Sequence, residues 1–319
     1  MQRQNIHAWL RGPVVAVATP FKEDFSLDLN ALQANIRFMI EGGVTTGNGA
    51  LLVAAAGGEF PTLNVAERKS IMDASLAAAE GRVPILASIQ HTDTRVTMQL
   101  ASFAAQVGIA AVQLGQPYYY PSTERDVYNL FKLVADNSDV TLMVYHTPWN
   151  GMHMSHELLT RLTDIPTVGA IKWASPDMTL YRDTILAFKD KVAIVDNMGH
   201  HVLSHLYGAR AFVTHISGFW PHYPRTLWRQ LEAKDYAGAH VTLAAFKYHW
   251  SAWVGKAVKW TEGEGPFIKA AMEAVGLQVG PPRPPYTRLS SELLADLRAL
   301  LREAGVPTSL VNSASETTV

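Results

Sequence analysis

"TVGAIKWA", residues 167–174, decides the fold of this chain. Apart from Lys172 near its C-terminal end, the stretch is small, β-branched or apolar. Apolar residues on both alternating faces mark a strand covered on both sides, as in parallel sheets. Working outward, seven further runs have the same character: "VVAVAT" (14–19), "ALLVAA" (50–55), "VPILAS" (83–88), "AAVQLG" (110–115), "TLMVYH" (141–146), "VAIVDN" (192–197) and "AFVTHIS" (211–217). Amphipathic segments separate them at 29–41, 64–81, 94–107, 124–136, 155–163, 178–188 and 199–207. The second of these opens on Asn64 as N-cap with Glu67 three residues on, a capping-box pattern, and stops at Gly81. Eight strand–helix units predict a (β/α)8 TIM barrel. A doubly wound sheet fits less well, because "TPFKED" rather than a glycine-rich turn follows the first strand.

The strand pattern stops near residue 225. Residues 226–275 read as helical, "GPPRPP" (280–285) breaks the chain, and 288–304 form one more amphipathic helix. The expected organisation is a barrel over 1–225, a C-terminal helical segment over 226–305 and a flexible tail over 306–319.

The 319 residues carry a net charge of −1, which offers no electrostatic handle for nucleic acid or an anionic membrane. Without cysteine, disulfides, thiolate metal sites and cysteine nucleophiles are excluded. No run approaches the roughly 18 apolar residues of a membrane span, and the N-terminus lacks an apolar signal core. A cytoplasmic protein is the expectation.

Barrels place their chemistry at the C-terminal strand ends. Here those positions carry "AAGGE" (55–59), Gln90 and His91, "QPYYYP" (116–121), Tyr145 and His146, Lys172, Asp196 and Asn197, and His215 and Ser217. A lysine stripped of water loses pKa, and the neutral amine can attack a ketone to form a Schiff base. Tyr145, at the mouth of the adjacent strand, can shuttle the protons. The plainer alternative is a buried ion pair of Lys172 with Glu59 or Asp196. "AAGGE" can offer backbone N–H groups to a carboxylate, or it can simply be a tight turn. "PYYYP" can supply phenols or pack in an interface. His91, His146 and His215 are the best-placed metal-ligand types, but the carboxylates that accompany such sites are not evident, and no metal is expected. "GGVTTGNG" (42–49) lacks the lysine of a phosphate loop.

"VATPF" (17–21), the "GGE" turn, "PYYYP", "VYHTP" (144–148) and "GAIKWAS" (169–175) occur in an order that resembles the dihydrodipicolinate synthase / N-acetylneuraminate lyase family, over about residues 10–305. The resemblance implies that Lys172 forms a Schiff base with a 2-oxo acid such as pyruvate and that Tyr145 moves the protons. It aligns Tyr119 with a tyrosine that enters the neighbouring subunit's site. It further implies a homotetramer built as a dimer of dimers, with no cofactor and no metal.

The departures are specific. The family turn usually reads "GTTGE", and Ala56 and Gly57 stand where its two hydroxyls would be, leaving backbone donors beside Gly58. Asn150 occupies the place of the arginine that binds aspartate semialdehyde in the synthases, so lysine biosynthesis is not expected. "SGFWPHYP" (217–224) replaces the usual small and amide residues. Trp149, Trp173, Phe219 and Trp220 predict an aromatic mouth and hence a bulky or aromatic aldehyde partner. The expected substrate-binding set is Ala56, Gly57, Gly58, His146, Trp149, Asn150, Ser217 and Trp220. His146 is one replacement for the missing hydroxyl relay. The expected activity is that of a class I lyase or aldolase. A 2-oxo sugar-acid dehydratase using the same lysine and a non-catalytic ligand-binding member are the alternatives.

Overall fold

The computed structural model describes residues 6–147 and 152–307. Eight strands follow in chain order: β1 (Gly12–Ala16), β2 (Ala50–Val53), β3 (Ile85–Ser88), β4 (Ala111–Gly115), β5 (Leu142–Tyr145), β6 (Val168–Trp173), β7 (Ala193–Asp196) and β8 (Ala211–Thr214). They close into a barrel in the order β1 to β8, and the pairs from β3 through β8 are parallel. This is the TIM barrel that the eight runs predict. The strands are shorter than the apolar runs, and β1 begins earlier, at Gly12. Apolarity marks burial, and burial continues past the hydrogen-bonded ladder. Beyond β2 the buried chain winds into a 3-10 turn at Ala56–Gly58, and beyond β8 into another at Ile216–Gly218.

Packing divides the chain into two compact units. The first comprises the described residues of Met1–Val14, Thr45–Leu52 and Glu80–Thr214. It holds most of the strand residues with α1 (Ile6–Trp9), α4 (Thr94–Val107), α5 (Glu124–Asn137), α6 (His156–Asp164), α7 (Met178–Phe188) and α8 (His201–Tyr207). The second comprises the described residues of Val15–Val44, Val53–Ala79 and His215–Val319. It contains α2 (Leu29–Glu41), α3 (Val65–Ala79), α9 (His222–Glu232), α10 (Tyr236–Thr242), α11 (Tyr248–Trp260), α12 (Gly265–Ala274) and α13 (Ser291–Glu303).

Local signals place these helices. The Asn64 side chain accepts from the Glu67 N–H at 2.9 Å, and Glu67 accepts from the Asn64 N–H at 2.9 Å, so the predicted capping box forms. Asp93 and Asp177 cap α4 and α7 from their side chains. The helical stretch after residue 225 is less uniform than its periodicity predicts. Leu243–Lys247 form a π-helical turn between α10 and α11. A contact from α9 accompanies it: Tyr223 Oη donates to Thr242 O at 2.9 Å and accepts from the Lys247 N–H at 3.2 Å.

Register sets the barrel interior. Ser88, Gln113, Met143 and Ala170 are successive register partners, and Gly115, Tyr145 and Lys172 form the next layer on the same face. Such layers are usually filled by branched apolar residues, but this one carries a serine and a glutamine.

Candidate active site

Lys172 is 5% exposed and sits one residue from the end of β6. Its Nζ donates to Gln113 Oε1 at 3.1 Å and lies 4.3 Å from the centroid of the Tyr145 ring. Tyr145 and Lys172 are direct register partners, so the predicted pair is adjacent. The carboxylates proposed as ion-pair partners have other engagements. Glu59 pairs with Lys269 at 2.7 Å. Asp196 accepts from Tyr181 Oη at 2.7 Å, from the Met198 N–H at 2.8 Å and from His201 Nδ1 at 2.9 Å. Burial pushes the Asp196 carboxyl up, but His201, Tyr181 and the Met198 N–H together hold it below the ordinary carboxylate value.

The His146 N–H donates to Lys172 O at 3.0 Å, but its side chain does not share the face of Lys172. Strand alternation carries it to the other face, where its ring stacks on Trp173 at 4.4 Å and meets His153 edge-on at 4.9 Å. Its Nδ1 lies 2.7 Å from Ala174 O. A carbonyl only accepts, so Nδ1 carries the proton and Nε2 is bare. Burial, reinforced by His153, lowers its pKa to about 4 against the pull of the Ala174 carbonyl, so the ring is neutral at physiological pH. Trp173 is fully buried in this stack and does not line a mouth.

Tyr119 is 84% exposed, Tyr120 is 77% exposed, and Tyr119 has the left-handed φ of +92°. A tyrosine pays steric strain there. Trp149 and Asn150 lie outside the described residues.

In the second unit, the turn after β2 is built on close backbone approach. Its own hydrogen bonds use the N–H groups of Gly58, Glu59 and Phe60. Ala56 and Gly57 stand at the start of the 3-10 turn. Thr19 Oγ1 donates to Gly58 O at 2.7 Å. A Cβ on Gly57 would lie 2.9 Å from the Ala16 Cβ and 3.0 Å from Ile268 Cδ1, and one on Gly58 would lie 2.9 Å from Val17 O. The hydroxyl absent at position 57 thus has no space to occupy. Gly57→Ala is expected to destabilise the fold by about 1–3 kcal/mol through overpacking, measured as a lowered urea midpoint. An unchanged midpoint would show that the strand end yields.

Glu59 holds this turn from its far side. It has a φ of +57°, and its carboxylate meets buried Lys269 and accepts from the Arg283 N–H at 3.0 Å. Desolvation lowers Lys269 to about 8, with Glu59 opposing the drop. Arg283 in turn pairs with Glu67 and lies 4.2 Å over the Phe21 ring.

Ser217 is fully buried, and its Oγ has no hydrogen-bond partner among the described residues. Phe219 belongs to an aromatic core, 4.9 Å from the Trp250 ring. Trp220 stacks on Tyr223 at 5.0 Å and lines a groove of about 310 Å³ with Phe38, Pro221 and Val275. The aromatic mouth is therefore not made by Trp173, Phe219 or Trp220. Tryptophan spacing in the sequence cannot distinguish a mouth from a core. His91 accepts from the Asp93 N–H at 2.9 Å, and His215 lies 3.2 Å from Glu264. Among the described residues, no group of three His, Asp or Glu side chains could hold a metal ion.

Gln113 and Lys269 escape detection from the sequence. Gln113 sits within an apolar run as one polar residue, and Lys269 sits on a helix with Glu273 four residues on, so its sequence neighbourhood does not point to Glu59.

A family model described as the Dihydrodipicolinate synthetase family matches residues 10–304. The 4-hydroxy-tetrahydrodipicolinate synthase of Exiguobacterium sibiricum is 29% identical, covering 92% of this chain and 97% of its own. A DapA-like lyase of Thermococcus kodakarensis is 28% identical over 92% and 99% of the two chains. The crystal structure of YagE, a prophage protein of that family from E. coli K12 in complex with pyruvate, superposes with a TM-score of 0.83 at 25% identity, over 93% of this chain and 99% of that one.

Proposed function

The chain belongs to the dihydrodipicolinate synthetase family, and from that premise we propose that it is a class I lyase acting through a Schiff base between Lys172 and a 2-oxo acid such as pyruvate. One observation carries the reading: a buried lysine at a strand end meets a neutral amide and a tyrosine ring, while Glu59 and Asp196 are engaged with other partners.

The neutral amine adds to the C2 carbonyl. The proton lost from nitrogen reaches the new alkoxide through Tyr145, giving a carbinolamine. A second proton on that hydroxyl lets water leave and forms the iminium. Loss of a C3 proton, or cleavage of the C3–C4 bond of an aldol adduct with loss of its C4 hydroxyl proton and departure of the aldehyde, sends the bond's electron pair into the iminium and gives the enamine; protonation at C3 and hydrolysis of the imine then return the amine. The backbone N–H groups of Ala56 and Gly57 are the proposed holders of the acid's carboxylate, with Gly58 keeping the turn tight. Tyr119, exposed and strained, is proposed to act in a homo-oligomer, by reaching a second copy of the chain.

An aromatic aldehyde partner loses the support of Trp173, Phe219 and Trp220 and rests on Trp149 alone. With those side chains packed elsewhere, the aromatic argument against a 2-oxo sugar-acid dehydratase weakens equally, so that activity is the second reading.

Borohydride trapping tests the mechanism. Incubation with pyruvate and borohydride is expected to leave a reduced adduct on the peptide carrying Lys172, detected by mass spectrometry. An adduct with a 2-oxo sugar acid but none with pyruvate would favour the dehydratase. No adduct with any keto acid would sink the Schiff-base reading.

A further inference from the structure

We propose that Gln113 is the positioning residue of Lys172: a buried file of neutral hydrogen bonds aims the amine and holds it without adding negative charge. The inference rests on the Schiff-base reading and extends it to a residue that touches neither the keto acid nor the bond that breaks.

The file is continuous. Ser88 Oγ donates to Gln90 Oε1 at 3.3 Å, Gln113 Nε2 donates to the same oxygen at 3.2 Å, and Gln113 Oε1 accepts from Lys172 Nζ at 3.1 Å. Every member is 5% exposed or less. The directions are set by chemistry. With its amide N–H donating to Gln90, Gln113 turns its oxygen to Lys172, and an oxygen acceptor fixes one N–H of the amine. The lone pair of neutral Lys172 then points away from Gln113. The layer above leaves room for this arrangement. Gly115 lies between Gln90 and Tyr145, and a Cβ there would come 2.8 Å from Gln90 Nε2 and 3.3 Å from Tyr145 O. Barrel interiors are normally filled with branched apolar side chains, and three polar ones beneath a buried lysine are costly unless each is satisfied.

Neutrality is the essential property. A carboxylate at this distance would favour the ammonium and raise its pKa by about 1–3 units. An amide orients the same nitrogen with no such penalty. Of the titratable groups on the flanking strands, Tyr145 on β5 presents its ring to Nζ. Asp196 on β7 is engaged with Tyr181 and His201. Val195 is the register partner of Lys172 on β7.

The test is the pH profile of imine formation. The rate of cyanoborohydride trapping of pyruvate on Lys172 is measured from about pH 5.5 to 9.5 in wild type, Gln113→Glu and Gln113→Leu. Gln113→Glu is expected to move the midpoint up by about one unit or more, to slow trapping at pH 7 by about tenfold, and to recover at alkaline pH. Gln113→Leu is expected to slow trapping by about fivefold without raising the midpoint, because orientation is lost and no charge is added. Wild-type rate and midpoint in both variants would overturn the proposal. Should Gln113→Glu fail to fold, as judged by its circular dichroism melt, Gln113→Leu decides alone: a wild-type rate there overturns the proposal. A wild-type protein that traps no keto acid on Lys172 would instead sink the underlying reading, so the two failures are distinguishable.

Discussion

Lys172→Ala is expected to lower turnover by about 10⁴-fold or more and to abolish the pyruvate adduct, while the protein stays folded. The size follows from the role. If the amine is the covalent electron sink, no nearby group replaces it, and the remaining binding contacts cannot stabilise a carbanion. The fold should survive because the hydrogen bond to Gln113 and the ring contact with Tyr145 that the side chain gives up both join it to neutral groups. The comparison is with a structural lysine, whose loss would unfold the protein and leave the residual native fraction fully active. Turnover by a folded alanine variant within about tenfold of wild type would eliminate the covalent mechanism. Lys269 is the control in the same digest. It too is buried, with a pKa lowered to about 8, but its Nζ is held by Glu59 and donates to Pro281 O at 2.9 Å. The adduct is expected on the Lys172 peptide and not on the Lys269 peptide.

Breaking the Glu59–Lys269 pair should produce a large stability loss. Both side chains are 2% exposed, and the N–O distance is 2.7 Å. Removing one partner leaves the other buried without its counter-charge, which costs about 3–5 kcal/mol. Glu59→Ala and Lys269→Met are each expected to lose that much in urea titrations. The paired change Glu59→Gln with Lys269→Met is expected to recover most of it, because no lone charge remains buried. Single losses below about 1 kcal/mol would mean that water reaches the site. Glu59→Gly adds a second comparison. It also removes the pair but relieves the left-handed backbone at φ +57°, so it should be less damaging than Glu59→Ala by up to about 1 kcal/mol.

Part of the molecule follows from local pattern alone. Period, caps and short apolar runs are properties of neighbouring residues. They suffice for the eight strands, for helices such as Thr94–Val107 and Met178–Phe188, and for the reciprocal bonds of Asn64 and Glu67. The adjacency of Tyr145 and Lys172 is equally local in origin, because parallel strands at successive positions bring their ends together. The glycines at 57 and 58 stand out in the sequence as a turn. Only packing against Ala16, Val17 and Ile268 shows why no side chain fits there.

What only the tertiary structure decided is the partner of each buried polar or aromatic group. From the sequence, Glu59 and Asp196 were equally available to Lys172. In the fold, Lys269 lies 210 residues beyond Glu59 and takes it, while α7 and α8 supply Tyr181 and His201 to Asp196. His146 and Trp173 follow residues of the inner barrel layer, and strand alternation turns both to the opposite face. Phe219 and Trp220 are drawn into the aromatic core around Phe246 and Trp250, where their apolar surface is buried. A sequence determines which residues must be buried and in what order strands and helices follow. Which buried groups meet depends on contacts between residues far apart in the chain, and those distances exist only once it has folded.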